Sequence, residues 1–245
     1  MIGIIVQART GSTRLPDKIL KEIINESSLI EYLLQNLHMV TNCKTIIVAT
    51  TENPNDNRLV ETLKKRNTLY FRGSENDVRK RYIEAAEAFN VDTIIRIPSD
   101  NPFTIPSLID ELIEYWNKNS FDYISTTLSE TFPIGTHVEI FRLDALKKTL
   151  KICTDLLSIE HVTPCIYNNG MIFNIGEFKS KKDLSKYRLT VDYCEDLKFA
   201  RELAKRIGDN ALQLDELIAL INKEPSLFSI NSMHKKKGAI SFDAD

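Results

Sequence analysis

An α/β fold with a mostly parallel sheet flanked by helices is predicted for this chain by two observations. Apolar runs rich in Ile and Val at 2–6, 45–50 and 93–98 read as fully buried strands, covered on both faces. Stretches with apolar residues at helical spacing separate these runs, and alternation of that kind gives strand-helix-strand units with parallel pairing.

The elements follow in order. After the first strand, "SSLIEYLLQNLHMV" opens on a serine cap and sets Leu29, Ile30, Leu33, Leu34 and Leu37 on one helical stripe. The strand at 45–50 leads to a helix at about 55–66, a short strand "TLYF", a helix over 76–89, the strand at 93–98, a helix over 105–118 and a strand in "FDYIST". The pattern then changes. "HVEIFR" alternates with period two, a helix starts near Asp144, another covers 157–168, and a strand is expected near 171–178, so 128–180 reads as a small antiparallel excursion. "YRLTV" returns as a strand, followed by helices at about 194–206 and in "LDELIALINKE". A single domain over 1–232 is expected, with a mobile charged tail at 233–245.

The chain has 245 residues, 42% of them hydrophobic, enough for one large core. Its 32 Lys and Arg against 34 Asp and Glu give no bulk attraction to nucleic acid or to an anionic membrane. No run approaches the roughly 18 apolar residues of a membrane span. Cys43, Cys153, Cys165 and Cys194 are widely spaced without a Cys-x-x-Cys pair and read as reduced, mostly buried thiols. These features point to a cytoplasmic protein.

Chemistry concentrates first in "QARTGSTRLPDK". In open parallel sheets, ligands bind beyond the carboxyl ends of the strands, which is where this loop leaves the first strand. Arg9, Arg14 and Lys18 bring positive charge, and Gly11 allows backbone N–H groups to turn toward an anion. A polyphosphate would suit such a loop, but on charge alone a solvated basic turn fits equally well. Neither G-x-G-x-x-G nor G-x-x-x-x-G-K-[ST] occurs, which excludes the dinucleotide fingerprint and the Walker loop. Asp100 follows "TIIRIPS" and Asp192 follows "YRLTV", so each lies just past an apolar run at the same end of the sheet. Each also reads as a helix cap, Asp192 with Glu195 as a D-x-x-E box.

The string Q-A-R-x-G-S-T-R-L-P-x-K resembles the nucleotide-binding signature of the sugar cytidylyltransferases that include the acylneuraminate and 3-deoxy-manno-octulosonate enzymes, especially the spore-coat polysaccharide branch. Further stretches stand in that family's order across residues 2–200: "IIVATTENPND", "FRGSENDVRKRY", "RIPSDNPF", "DYISTT", "EHVTP" and "LTVDYCEDL". The resemblance implies a Rossmann-like nucleotidyltransferase fold of the nucleotide-diphospho-sugar transferase type. It assigns Ala8, Arg9, Gly11, Ser12, Arg14 and Lys18 to the triphosphate of CTP, and Asp100 and Asp192 to Mg²⁺. Asp17 stands where that family has glycine, and Tyr193-Cys194 where it has Thr-Pro.

Arg72, Ser74 and Asp77 in "FRGSEND" are implied contacts of cytosine and ribose; without the resemblance they form a surface turn capping the next helix. The acceptor pocket should come from the irregular half. Its candidates are Arg96, His137 and Glu139, with the two last on one face of their strand, and Glu160 and His161 at the start of a helix. A homodimer formed through the excursion is implied as well.

The expected reaction is Mg²⁺-dependent transfer of CMP from CTP to an acidic or other surface-polysaccharide sugar with release of pyrophosphate, Arg9, Lys18 and Asp100 carrying the catalysis. Two rivals differ in class. A nucleotide-sugar-dependent glycosyltransferase would release a nucleoside diphosphate and usually carries Asp-x-Asp, whereas Ser99-Asp100-Asn101 has one carboxylate. A non-catalytic nucleotide-binding subunit would bind without turnover. A serine hydrolase is excluded by the lack of G-x-S-x-G.

Overall fold

The computed structural model describes residues 1–208 and 212–234. Its strands are β1 (Ile2–Gln7), β2 (Glu22–Ile24), β3 (Ser27–Ser28), β4 (Ile46–Thr51), β5 (Leu69–Gly73), β6 (Thr93–Pro98), β7 (Tyr123–Ser125), β8 (Glu139–Arg142) and β9 (Ile175–Glu177). Seven form one sheet in the order β5-β4-β1-β6-β8-β7-β9, and β2-β3 is a separate ribbon beyond the first loop. β5, β4, β1 and β6 pair in parallel, as do β7 and β9, whereas β8 runs antiparallel to both of its neighbours.

The helices are α1 (Leu29–His38), α2 (Asn57–Lys65), α3 (Val78–Ala88), α4 (Pro106–Asn117), α5 (Leu143–Thr149), α6 (Leu156–His161), α7 (Pro164–Tyr167), α8 (Cys194–Ile207), α9 (Leu214–Lys223) and α10 (Pro225–Ser229). Alternate β1 residues feed two cores. Ile4 and Val6 join Leu33 and Leu37 of α1, Leu112 of α4 and Leu203 of α8, while Ile5 joins Tyr82, Ile83 and Ala86 of α3. The strands are therefore covered on both faces, which is why their sequences run apolar without alternation. Ser28 caps α1 as expected: its N–H and hydroxyl both donate to Glu31, at 2.9 and 2.6 Å.

Several expectations need correction. The helix predicted over 157–168 is broken at Val162, whose φ is 73°, and restarts as α7 with Pro164 in its first turn, where no N–H is needed. Glu160 and His161 consequently end α6 rather than begin a helix. The strand near 171–178 contracts to β9. Period-two reading of "HVEIFR" as one polar and one apolar face also fails, since Glu139, Ile140 and Phe141 are all buried in an interior strand. Cys153 and Cys165 form a disulfide; Cys43 is a buried free thiol and Cys194 an exposed one.

"YRLTV" joins no sheet and contributes a single bridge, between Ile134 and Arg188. Its backbone is gripped from both sides instead. Leu189 N donates to Ile134 O at 2.7 Å, Ile134 N to Tyr187 O at 3.0 Å, and Val191 N to Asp100 O at 2.8 Å. Gly135 makes this approach possible: its φ is +100°, and a Cβ there would lie 2.3 Å from Thr190 N. The end of β6 and the segment carrying Asp192 are thereby tied together.

Of the tail expected at 233–245, Met233 and His234 are described and His234 stacks on Tyr193; the remainder lies outside the described residues. Among the described residues, no helix is long and apolar enough to cross a membrane.

Candidate active site

The site lies at the carboxyl ends of β1 and β6. Chain reversal after β1 is fastened by Thr10, whose N–H and hydroxyl each donate to Asp56 Oδ1 at 2.7 Å; Thr51 donates to the other carboxylate oxygen. Asp56 is buried, which would raise its pKa, but the hydroxyl and backbone donors of Thr51 and Thr10 hold it below the ordinary value. This anchor was not among the sequence candidates.

Beyond the anchor, Ala8 is buried and its N–H donates to Ala49 O at 3.2 Å. Arg9 is half-exposed beside Glu75 at 3.9 Å. Gly11 does not use a left-handed conformation; it is exposed, and a Cβ there would meet no protein atom. Ser12 Oγ accepts from Leu15 N at 3.4 Å. The left-handed position is Asp17, with φ 56° and ψ 22°, a conformation that Asp tolerates better than most residues. Its carboxylate accepts from Arg58 at 2.6 Å, so its charge is answered locally.

Lys18 follows that turn and brings the distant segments together. Its Nζ donates to Asp100 Oδ2 at 2.9 Å, Asp192 Oδ1 at 3.0 Å and Val191 O at 3.0 Å. Burial alone would lower the Lys18 pKa, but Asp100 and Asp192 more than offset it and the net direction is upward. Arg14 reaches Asp192 Oδ1 at 3.1 Å while its guanidinium lies 5.3 Å from the Tyr193 ring centre. Asp192 is held below the ordinary carboxylate range because Lys18, Arg14 and Arg188 outweigh its burial.

Asp196, present in the sequence motif but given no role there, supports Asp192 from behind. It is fully buried and accepts from Arg188 Nε and Nη2 at 2.9 Å each, from the N–H groups of Asp192 and Tyr193 at 3.0 and 3.1 Å, and from Asn231 Nδ2 at 2.9 Å. Arg188 also donates to Asp192 Oδ2 at 3.1 Å. The cap of α8 is thus made by Asp196, not by an Asp192–Glu195 box; Glu195 instead meets His234 at 2.9 Å.

The remaining candidates are spread more widely. Arg72 donates to Thr51 O, Asn57 Oδ1 and Asn53 O at 2.9, 2.8 and 3.0 Å, bracing the loop after β4. Ser74 Oγ accepts from Asp77 N at 3.0 Å, and Asp77 caps α3 by accepting from Lys80 N at 2.7 Å. Arg96 and Glu139 are paired to each other at 3.0 Å, deep between β6 and β8, with Gln7 and Thr163 as further partners. His137 is half-buried two residues before β8, and Glu160 and His161 are exposed.

Two carboxylates and a backbone carbonyl converging on one cation form an all-oxygen donor set of the kind Mg²⁺ accepts. The adjoining loop supplies Arg9, Arg14 and exposed backbone at Gly11. A negatively charged polyphosphate with its divalent ion matches this arrangement.

The cytidylyltransferase family model matches residues 3–226. An uncharacterised protein of Methanocaldococcus jannaschii is 38% identical over 239 residues, covering 97% of this chain and 96% of its own length. The spore coat polysaccharide biosynthesis protein SpsF of Bacillus subtilis is 31% identical, covering 90% and 94%. A cytidylyltransferase structure from Leptospira borgpetersenii superposes with a TM-score of 0.89 at 32% identity, covering 93% of this chain and 96% of that one. The loop after β1, the convergence of Asp100 and Asp192 on Lys18 and these matches over nearly the whole chain agree, and the chain belongs to the cytidylyltransferase family.

Proposed function

We propose that this cytidylyltransferase moves CMP from CTP to the hydroxyl of an acidic sugar, a nonulosonic or 3-deoxy-2-ulosonic acid, or of another surface-polysaccharide sugar, releasing pyrophosphate. The observation that carries the reading is the meeting of Arg14, Lys18, Asp100 and Asp192 within hydrogen-bonding distance at the end of β1. The relationship to a spore coat polysaccharide protein supports a sugar acceptor.

In this reading Arg9, Arg14 and Lys18 bind the triphosphate and counter the charge that builds on the departing pyrophosphate. The acceptor hydroxyl attacks the α-phosphorus in line and the bond to the β-phosphate oxygen breaks. Asp100 and Asp192 would hold Mg²⁺, which when bound neutralises phosphate charge. Asp196 and Arg188 keep Asp192 oriented. Most of the acceleration comes from positioning and charge, since the protein forms no covalent bond to substrate.

Exposed Leu150, Ile152, Leu156, Met171 and Ile172 lie in the excursion and support a homodimer through it, to be checked by sedimentation. A cytoplasmic location fits an enzyme that consumes CTP. Incubation with CTP, Mg²⁺ and a panel of acidic sugars tests the function: pyrophosphate release with CTP and one sugar is expected, and no release with any nucleotide contradicts it.

A further inference from the structure

Lys18 occupies the position to which the two acids point. All three ammonium protons have oxygen acceptors at 2.9–3.0 Å: Asp100 Oδ2, Asp192 Oδ1 and Val191 O. The Lys18 side chain is only 11% exposed, so little water shares the work. The cluster is also balanced in charge, with Arg14, Lys18 and Arg188 against Asp100, Asp192 and Asp196. A divalent ion added to it would meet an ammonium group at contact distance and carboxylates already answered.

We propose that Lys18 is the gatekeeper of the metal position: its ammonium excludes a divalent cation from Asp100 and Asp192 until a triphosphate draws it away, so metal and nucleotide enter together. Among the cations here Lys18 is the one built to move. Arg188 is fixed by a bidentate pair with buried Asp196, and Arg14 lies against the Tyr193 ring. A lysine is a point charge on a flexible four-carbon stem and can exchange carboxylate for phosphate partners by rotating that stem. When it does, Asp192 keeps Arg188 on Oδ2 and Arg14 on Oδ1 but loses the ammonium between it and Asp100, and the Asp100 carboxylate gives up its Lys18 partner. The design prevents free divalent ion from locking the site before substrate arrives.

This inference rests on reading Asp100 and Asp192 as the metal carboxylates. Mn²⁺ binding to the nucleotide-free protein, followed by the paramagnetic resonance of free Mn²⁺, tests it. Lys18→Met and Lys18→Gln should bind one Mn²⁺ at least about tenfold more tightly than the unaltered chain. Adding Asp100→Asn to either should remove the gain. Equal affinity in all proteins overturns the proposal, as does a gain that survives Asp100→Asn. A second measurement needs no variant: Mn²⁺ alone should leave Lys18 as protected from acetylation as it is without metal, and exposure of Lys18 by Mn²⁺ alone contradicts the idea. Pyrophosphate release is scored separately. An active enzyme whose Mn²⁺ affinity ignores Lys18 refutes only the gatekeeper, whereas the expected Mn²⁺ pattern in a protein that turns over no nucleotide refutes only the functional reading.

Discussion

Two clusters of paired charges differ in their surroundings. At the end of β1, Lys18, Arg14, Asp100 and Asp192 sit at the rim of the sheet, and the Asp100 side chain is 28% exposed. Between β6 and β8, Arg96 and Glu139 pair with each other, with Gln7, Thr163 and the Tyr82 ring around them. Arg96 Nε and Tyr123 Oη find no partner in that buried cluster, and burial drives the Tyr123 pKa well upward. Lys18 and Asp192 are no more exposed than Arg96 and Glu139, at 11% and 14% against 13% and 10%; what differs is Asp100, open to solvent with Lys18 as its side-chain partner, whereas Glu139 is held by both Arg96 and Thr163. Exchange of a partner for a ligand is expected first where one side of an ion pair is open.

The sharpest way to break this contrast is to remove one partner of the Arg96–Glu139 pair. Glu139→Ala should cost about 3–5 kcal/mol of stability, because it strands a buried guanidinium, while Arg96→Met with Glu139→Leu should cost much less than that single change. Urea unfolding of the three proteins decides it; a small loss for Glu139→Ala would place the pair among the replaceable ones. At the rim, Asp100→Asn should lower turnover about 10²–10³-fold while nucleotide binding and melting temperature change little. Unchanged turnover would remove Asp100 from the chemistry.

After β8, the Cys153–Cys165 bond closes a loop of separation 12 that contains α6 and ends in α7. Cys153→Ser should cost up to about 3 kcal/mol, and thiol titration of the unfolded, unreduced protein should find two free thiols, not four. Smaller again is the effect of Asn231→Leu, which removes one donor from Asp196: about 1–2 kcal/mol. Its signature is in acid. Asp196 is buried and Asp192 half-buried, which alone would raise their pKa values, yet the cationic and N–H partners around them bring both below the ordinary value. The stability they contribute is therefore present above the unfolded carboxylate pKa of about 3.9 and is lost as pH falls through the lower folded values. Asp196→Asn should flatten the acid limb of a melting-temperature profile, and an unchanged limb would assign acid lability elsewhere.

Much of this was legible in the residues. Unbroken Ile and Val runs marked β1, β4 and β6 because burial on both faces leaves no polar period, and the strand-end rule pointed to the loop after β1 and to Asp100. The metal role of both Asp100 and Asp192 comes through resemblance, because the two lie 92 positions apart in sequence and no local pattern links them. The Thr10–Asp56 anchor and the Asn231–Asp196 bond escaped for the same reason, being contacts across 46 and 35 residues. The excursion was read least well. Val162 takes a positive-φ conformation that no propensity favours, and four cysteines do not announce a pairing by spacing alone.

The account depends most on Asp100 and Asp192 being released together to a divalent ion on the nucleotide. Crystals grown with Mn²⁺ and a non-hydrolysable CTP analogue test this through the anomalous signal. A Mn²⁺ peak bridging the two carboxylates and the triphosphate, with Lys18 moved to phosphate, is the predicted result. A triphosphate bound while Lys18 still spans Asp100 and Asp192, with Mn²⁺ elsewhere, would contradict it.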